Sequence, residues 1–301
     1  MEDYPVTRMK REIELLVSLS GQNCGENFVH YFTHWFEGPD VDDLDSLNHS
    51  LLDDSDYSPD IPPVPKNWLF IEMELCGSTL QSWLVDRPNQ EDRDVDEVAL
   101  ILKQVLRALV HVHSLRIIHR DIKPDNIFVT NIESITTVKL GDFGLGKMLQ
   151  GDKSKVTTER VGSTRYQSPE MLRGDGRYSE KTDIFSTGLV YLQLLFVSET
   201  ITFVRDIRDV FVLLQTKVQT SVLDCPDLLI FPMEVALIKK MTSYFSDTRY
   251  KAEQVLEALE NPENFLERVS SERRRDATFS CGLVPPICSV LLCSIFYVCG
   301  I

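Results

Sequence analysis

The run Ile118-His119-Arg120-Asp121-Ile122-Lys123-Pro124-Asp125-Asn126, followed about 16 residues later by Asp142-Phe143-Gly144, constrains this 301-residue chain more than anything else in it. Between the two motifs lie Ile127-Phe128-Val129 and Val138-Lys139-Leu140, short apolar runs that read as strands. A fold that suits the chain must let Asp121 and Asp142 converge in one cleft.

The residue types in the two motifs share a chemistry. Asp121 can accept or orient the proton of an attacking hydroxyl. Lys123 can neutralise charge on a transferred phosphoryl group, Asn126 can offer an amide oxygen to a magnesium ion, and Asp142 can bridge such an ion to nucleotide phosphates. One Asp and one Asn suffice, because magnesium keeps waters and shares phosphate oxygens. Asp-Phe-Gly alone is a weak signal, and either motif by itself reads as a solvated polar loop. Coupled at this spacing they are specific.

Composition bounds the rest. Lys+Arg 31 against Asp+Glu 46 gives a formal net charge of -15, which argues against holding nucleic acid by its phosphates. The Cys 7 include no Cys-x-x-Cys pair, so free thiols in a reducing, cytoplasmic compartment are expected. The charged, amphipathic N-terminus does not read as a signal peptide. Residues 6–19 read as a helix with Met9, Ile13, Leu16 and Val17 on its apolar face. Phe28 to Phe36 and Trp68 to Glu74 read as neighbouring antiparallel strands, separated by an acidic insert near 38–66. Residues 95–114 read as a long amphipathic helix, and 178–259 as several helices.

Further motifs follow in order: Gly162-Ser163-Thr164-Arg165-Tyr166, Ser168-Pro169-Glu170, Lys181-Thr182-Asp183-Ile184-Phe185-Ser186 and Asp247-Thr248-Arg249-Tyr250. From residue 6 to about 269 the chain resembles the eukaryotic protein kinases, and Lys123 favours the serine/threonine class. Within that class Trp68-Leu69-Phe70-Ile71-Glu72-Met73-Glu74-Leu75-Cys76, Arg165-Tyr166-Gln167-Ser168-Pro169-Glu170 and the acidic insert resemble the kinases of the translation initiation factor 2 alpha subunit, which usually carry Met where Gln167 stands. The resemblance implies an α+β, bilobal fold with an incomplete N-lobe sheet and a mainly helical C-lobe. It divides the chain into 1–76 (N-lobe with insert), 77–269 (C-lobe) and a basic, then hydrophobic tail at 270–301.

The resemblance also implies roles. Asp121 and Lys123 are catalytic, and Asn126 and Asp142 hold magnesium. Met73 is the gatekeeper, with backbone groups of Glu74 and Cys76 on the adenine of ATP. Phe143 has a structural role. Glu12 matches the helix glutamate that pairs with a strand lysine, with Leu16 on the hydrophobic spine. Thr158, beside Thr157, matches an activation-loop phosphorylation site, where a phosphate would pair with Arg120. Ser163 lies in the substrate-docking loop, Asp183 holds the catalytic-loop backbone, and Glu170 pairs with Arg249. A docking helix is expected within 200–214.

No glycine-rich phosphate loop and no Ala-x-Lys strand precede Glu12, so a truncated kinase with poor activity by itself is expected. The alternative is a pseudokinase or decoy that binds substrate or full-length kinase, and another serine/threonine kinase family is a third reading. The expected partners are ATP, Mg2+ and the initiation-factor alpha subunit. A kinase homodimer is put in doubt by the truncation, and no direct nucleic-acid binding is expected. The tail reads as a membrane anchor, a segment buried on the C-lobe, or a non-homologous end from splicing or a misread gene, and the last is favoured.

Overall fold

Alternating aromatic and branched side chains make strands of Tyr31–Glu37 (β1) and Trp68–Met73 (β2), which pair antiparallel with Trp35 opposite Phe70. The two rings stack at 5.3 Å, as cross-strand aromatic pairs do. The computed structural model of the chain describes residues 13–19, 26–37, 68–132, 135–143, 146–148, 165–174, 178–195 and 232–281. The acidic insert falls outside them.

A helix at residues 13–19 (α1) buries Ile13, Leu15, Leu16 and Leu19, whereas Val17 is exposed. The apolar stripe therefore runs over Leu15 rather than Val17. The cause is Gly146, where an added Cβ would sit 2.8 Å from Leu15 Cδ1. The segment before β1 also departs from the expected strand. Phe28 forms an isolated parallel bridge with Leu140. The Val29 N–H donates to Leu140 O (3.1 Å), and the Leu140 N–H to Asn27 O (2.9 Å). Asn27 dictates this, since its amide donates to Val138 O (2.8 Å) and to Gln104 Oε1 (3.0 Å) and so ties the segment down.

Ser78–Thr79 (β3), Ile127–Ile132 (β5) and Ile135–Leu140 (β6) form a three-stranded antiparallel sheet in the order β3-β5-β6. Thr79 then caps Leu80–Val85 (α2), its hydroxyl accepting from the Ser82 N–H at 3.2 Å. Val95–Ser114 (α3) starts at Asp94, whose carboxylate accepts from the Asp96 N–H at 2.9 Å. Its buried face contains Val98, Ile101, Leu102, Val105, Leu106 and Leu109, together with Gln104. Gln104 is satisfied by β6: its Nε2 donates to Thr136 O (2.8 Å) and its Oε1 accepts from the Val138 N–H (2.8 Å). Ile117–Ile118 (β4) pairs with Lys147–Met148 (β7).

Pro169–Arg173 (α4), Glu180–Leu195 (α5), Pro232–Met241 (α6) and Ala252–Glu260 (α7) follow. In α5, 13 of the 16 residues are buried, as befits a helix enclosed on all sides. At Gly188 an added Cβ would lie 2.7 Å from Thr242 Cγ2 and 2.9 Å from Met241 Cβ, so glycine lets the end of α6 approach α5. These elements, up to Leu259 in α7, belong to one unit, Met1–Leu259, and a second unit, Glu260–Ile301, contains the helix Pro262–Cys281 (α8). The mixture of helices and small antiparallel sheets is the α+β class read from the sequence. Among the described residues no helix is long and apolar enough to cross a membrane. The hydrophobic end of the tail, with its anchor reading, lies outside them.

Candidate active site

The β5–β6 hairpin carries the two motifs. Ile127 pairs with Leu140 at its base, and one step further the Gly141 N–H donates to Asn126 O at 3.0 Å. Asn126 and Asp142 therefore leave the hairpin from neighbouring strand ends. Asp142 is exposed and has φ 59, while Arg120, just ahead of Asp121, has φ 66. Non-glycine residues adopt such a backbone only when their surroundings impose it.

Asp183 imposes it at Arg120. Fully buried near the start of α5, it accepts from the His119 N–H (2.9 Å), the Arg120 N–H (2.8 Å) and His113 Nε2 (2.8 Å). Burial works against the Asp183 carboxylate, but the His113 contact and the backbone donors outweigh it and hold its pKa below the usual range. His119 is buried and neutral, because burial lowers its pKa more than Asp183 and the Gly141 carbonyl raise it. Its hydrogen bonds fix the tautomer, with Nε2–H donating to Gly141 O at 2.9 Å and Nδ1 accepting from the Asp121 N–H at 3.3 Å. Phe143 is buried against this imidazole at 4.6 Å and against Phe28 at 6.2 Å. The histidine thus joins the two motifs through one backbone bond and one ring contact.

Asp121 is 7% exposed. Lys123 Nζ donates to its Oδ2 at 2.6 Å, and Asn126 Nδ2 donates to the same oxygen at 3.0 Å and to the Asp121 main-chain oxygen at 2.9 Å. With its amide nitrogen so used, Asn126 keeps its Oδ1 for another ligand. Among the described residues no group of three or more His, Cys, Asp or Glu could hold a metal alone. An Asn oxygen and an Asp carboxylate fit instead a hard cation that shares its shell with phosphate oxygens.

Met73 ends β2 opposite Tyr31 and is half-exposed. The Glu74 N–H donates to His30 O at 2.7 Å, and its carboxylate takes Lys139 Nζ at 2.6 Å to each oxygen. Burial raises the Glu74 pKa less than the Lys139 ammonium lowers it. Cys76 is half-buried, with its thiol on Glu74 O at 3.8 Å and its pKa raised by burial and by Glu74. Glu170 and Arg249 meet as a buried fork, Nη1–Oε1 at 2.6 Å and Nη2–Oε2 at 2.7 Å. Glu12, Thr157, Thr158, Ser163, Gly144 and the 200–214 segment lie outside the described residues.

Comparison with known proteins agrees with this geometry. The family described as "Protein kinase domain" matches residues 7–259. The chain belongs to the protein kinases. Among curated relatives, this kinase is 31% identical over 270 residues to the interferon-induced, double-stranded RNA-activated protein kinase of Mus musculus, covering 88% of the chain and 46% of that protein. It is 35% identical over 198 residues to the Rattus norvegicus protein of that description, 65% of the chain and 35% of the relative. It is 33% identical over 233 residues to eukaryotic translation initiation factor 2-alpha kinase 3 of Bos taurus, 70% of the chain and 19% of the relative. The kinase spans less than half the length of each of these relatives.

Sequence reasoning missed several residues that shape this kinase's site. Gln104 interrupts the apolar stripe of α3, and that interruption was its signal. Lys139 and His113 carried none, since a lysine in a strand and a histidine late in a helix read as surface residues. Arg93 and Gln193 were equally silent, although Arg93 Nη1 donates to Gln193 O at 2.8 Å and the Tyr166 phenol donates to Gln193 Oε1 at 2.6 Å.

Proposed function

We propose that this chain is a serine/threonine kinase that transfers the γ-phosphoryl group of ATP to the alpha subunit of translation initiation factor 2, acting in the cytoplasm to reduce translation under stress or viral infection. The observation that carries it is the arrangement around Asp121: its carboxylate is gripped by Lys123 and Asn126, on a loop whose peptide N–H groups are locked by Asp183, beside an Asn126–Asp142 pair at the base of one hairpin. The choice of substrate rests on the matched relatives, several of which are initiation factor 2-alpha kinases by name. The matches to such kinases favour this reading over a decoy.

In this reading residues 1–76 form a partial N-lobe and 77–269 the C-lobe, which carries the groups that act on both the nucleotide's phosphates and the protein substrate. A substrate hydroxyl approaches Asp121, which orients it and takes its proton as the new O–P bond forms and the bond to ADP breaks. Lys123 lies beside the reacting oxygen and offsets the negative charge of the phosphoryl group. The Glu74 carbonyl and Cys76 N–H receive the adenine, since the Glu74 N–H is already committed to His30. Asn126 Oδ1 and Asp142 would hold the divalent ion, magnesium on this donor set, which neutralises phosphate charge when bound.

The test is transfer of labelled phosphate from ATP to the recombinant alpha subunit by the full chain and by Asp121→Ala. Loss of the general base is expected to cost about 10²–10⁴-fold in rate. Equal rates for the two proteins would remove the basis of the proposal.

A further inference from the structure

We propose that the solvent face of the β1–β2 ribbon docks an extended, arginine-bearing polypeptide segment; this surface stands apart from the phosphotransfer reading above. Side chains alternate across a strand, and the register puts Trp35 opposite Phe70, Glu37 opposite Trp68 and Thr33 opposite Glu72. These six residues share one face. All six are exposed, the rings by 42% at Trp35, 37% at Phe70 and 58% at Trp68. The other face holds His34, Leu69 and Ile71, each half-buried. The ribbon thus turns its largest rings to water, where an antiparallel sheet ordinarily places polar side chains. Clustered exposed rings of this kind mark interaction sites.

The face has rings and carboxylates but no cation. Trp35 and Phe70 stack at 5.3 Å and 10°, and the Trp35 indole N–H donates to Glu37 Oε1 at 2.9 Å. With its one donor used, Trp35 offers a partner only ring surface. Among the described residues Trp68 is in no ring contact, and no cation pairs with Glu37 or Glu72. A guanidinium suits this surface on both counts. Its plane lies on an aromatic ring more readily than an ammonium does, and its N–H fork takes a carboxylate. Along β2, Trp68, Phe70 and Glu72 recur on this face at every second residue, about 6.8 Å apart. An extended segment with arginines at alternate positions has the same repeat, so one segment can engage several of them at once. Charge decides against other occupants. By sequence the chain adds Asp40, Asp42, Asp43 and Asp45 directly after Glu37, and its formal net charge is -15. A second copy would set like charges face to face, and nucleic acid or an anionic membrane would be repelled.

The experiment titrates the full chain against a labelled, end-blocked peptide of alternating Arg and Thr, and against its Lys and Glu counterparts, by fluorescence anisotropy. Tryptophan emission of the parent is followed in parallel. It reports this face, because Trp35 and Trp68 are two of the Trp 3 and Trp83 is buried. The arginine peptide is expected to bind saturably and to change the emission, the lysine peptide to bind several-fold more weakly, and the glutamate peptide not to bind. Trp68→Thr and Glu72→Lys should each weaken the arginine peptide roughly three- to thirtyfold. Both side chains are exposed, so Tm should hold in each variant. Glu253→Lys, on the exposed side of α7, alters net charge as much as Glu72→Lys does and should leave binding unchanged. Equal weakening by Glu253→Lys and Glu72→Lys would reduce the effect to bulk charge and overturn the proposal. So would absence of binding, or binding that leaves the emission of the parent unaltered. A dimer in sedimentation velocity that Trp68→Thr disperses would assign the face to a second copy and overturn it as well.

Discussion

Replacing Arg249 by Met tests the energetics of the Glu170 pair. Arg249 is 2% exposed and all five of its N–H bonds are used. Nε donates to Ser243 O (2.6 Å), Nη1 to Glu170 Oε1 (2.6 Å) and Lys181 O (3.1 Å), and Nη2 to Glu170 Oε2 (2.7 Å) and Tyr244 O (3.1 Å). Met fills much of the volume but strands a buried carboxylate, so the expected loss is about 3–5 kcal/mol. That is a large share of a total near 5–15 kcal/mol, equivalent to roughly 6–20 °C in Tm. Adding Glu170→Leu removes the stranded charge and is expected to recover part of the loss, but not the bonds to three main-chain carbonyls. The pH dependence gives a second readout. In the parent, burial raises the Glu170 pKa but the Arg249 bonds and charge outweigh it, so the folded pKa lies below the unfolded value of about 4.3. That stabilisation is full above the unfolded value and is lost as pH falls through the folded one. In Arg249→Met the buried carboxyl has a raised pKa, and the penalty disappears as pH falls below it. The gap between parent and variant should therefore narrow from pH 7 to pH 5 in urea unfolding. A variant within about 1 kcal/mol of the parent, or a gap that does not move with pH, refutes the reasoning.

Three other substitutions bear on the same framework. Asp183→Asn turns an amide nitrogen toward one of three donors, and is expected to cost about 2–3 kcal/mol in urea unfolding and to lower phosphotransfer more than it lowers ATP affinity. Gly188→Ala drives a Cβ into Thr242 and Met241; it should destabilise by about 1–3 kcal/mol by thermal unfolding, despite alanine's better helix propensity. Lys139→Met breaks a pair whose side chains are 25% and 30% exposed, so its cost should stay under about 1 kcal/mol in the same assay.

The elements legible in the sequence were those whose pattern is local. The α3 boundaries, the β1–β2 pair and the cores of β5 and β6, though not their pairing as a hairpin, follow from periodicity and branched residues, and the candidate cluster around Asp121 follows from two motifs at fixed spacing. The Glu170–Arg249 pair was legible only as one step in an ordered series, because a lone arginine 79 residues away carries no signal. What stayed illegible depends on tertiary partners. Phe28 reads as strand, yet Asn27 turns it to Leu140. Leu15 displaces Val17 from the buried face because Gly146 comes close. Gln193 looks like a polar residue late in an apolar helix until Tyr166 and Arg93 are seen to converge on it.

These long-range contacts share one reference. Asp183 fixes the backbone of His119 and Arg120 ahead of Asp121, Thr182 Oγ1 donates to Glu170 Oε1 at 3.1 Å, Phe185 lies 4.9 Å beneath the Arg249 guanidinium, and Ser186 and Gln193 hold Tyr166. All five residues belong to α5, which is buried nearly throughout its length. A packed helix transmits displacement rather than absorbing it, because interiors at crystal-like density have no slack. The Asp121 loop, the segment leading into α4 and the ion pair that secures α4 therefore cannot shift independently. A core substitution in α5 that spares every polar contact, such as one at Leu189 or Val190, should for that reason reach the active site through geometry rather than chemistry. Its mark would be a loss of kcat with the pH dependence of the rate unchanged.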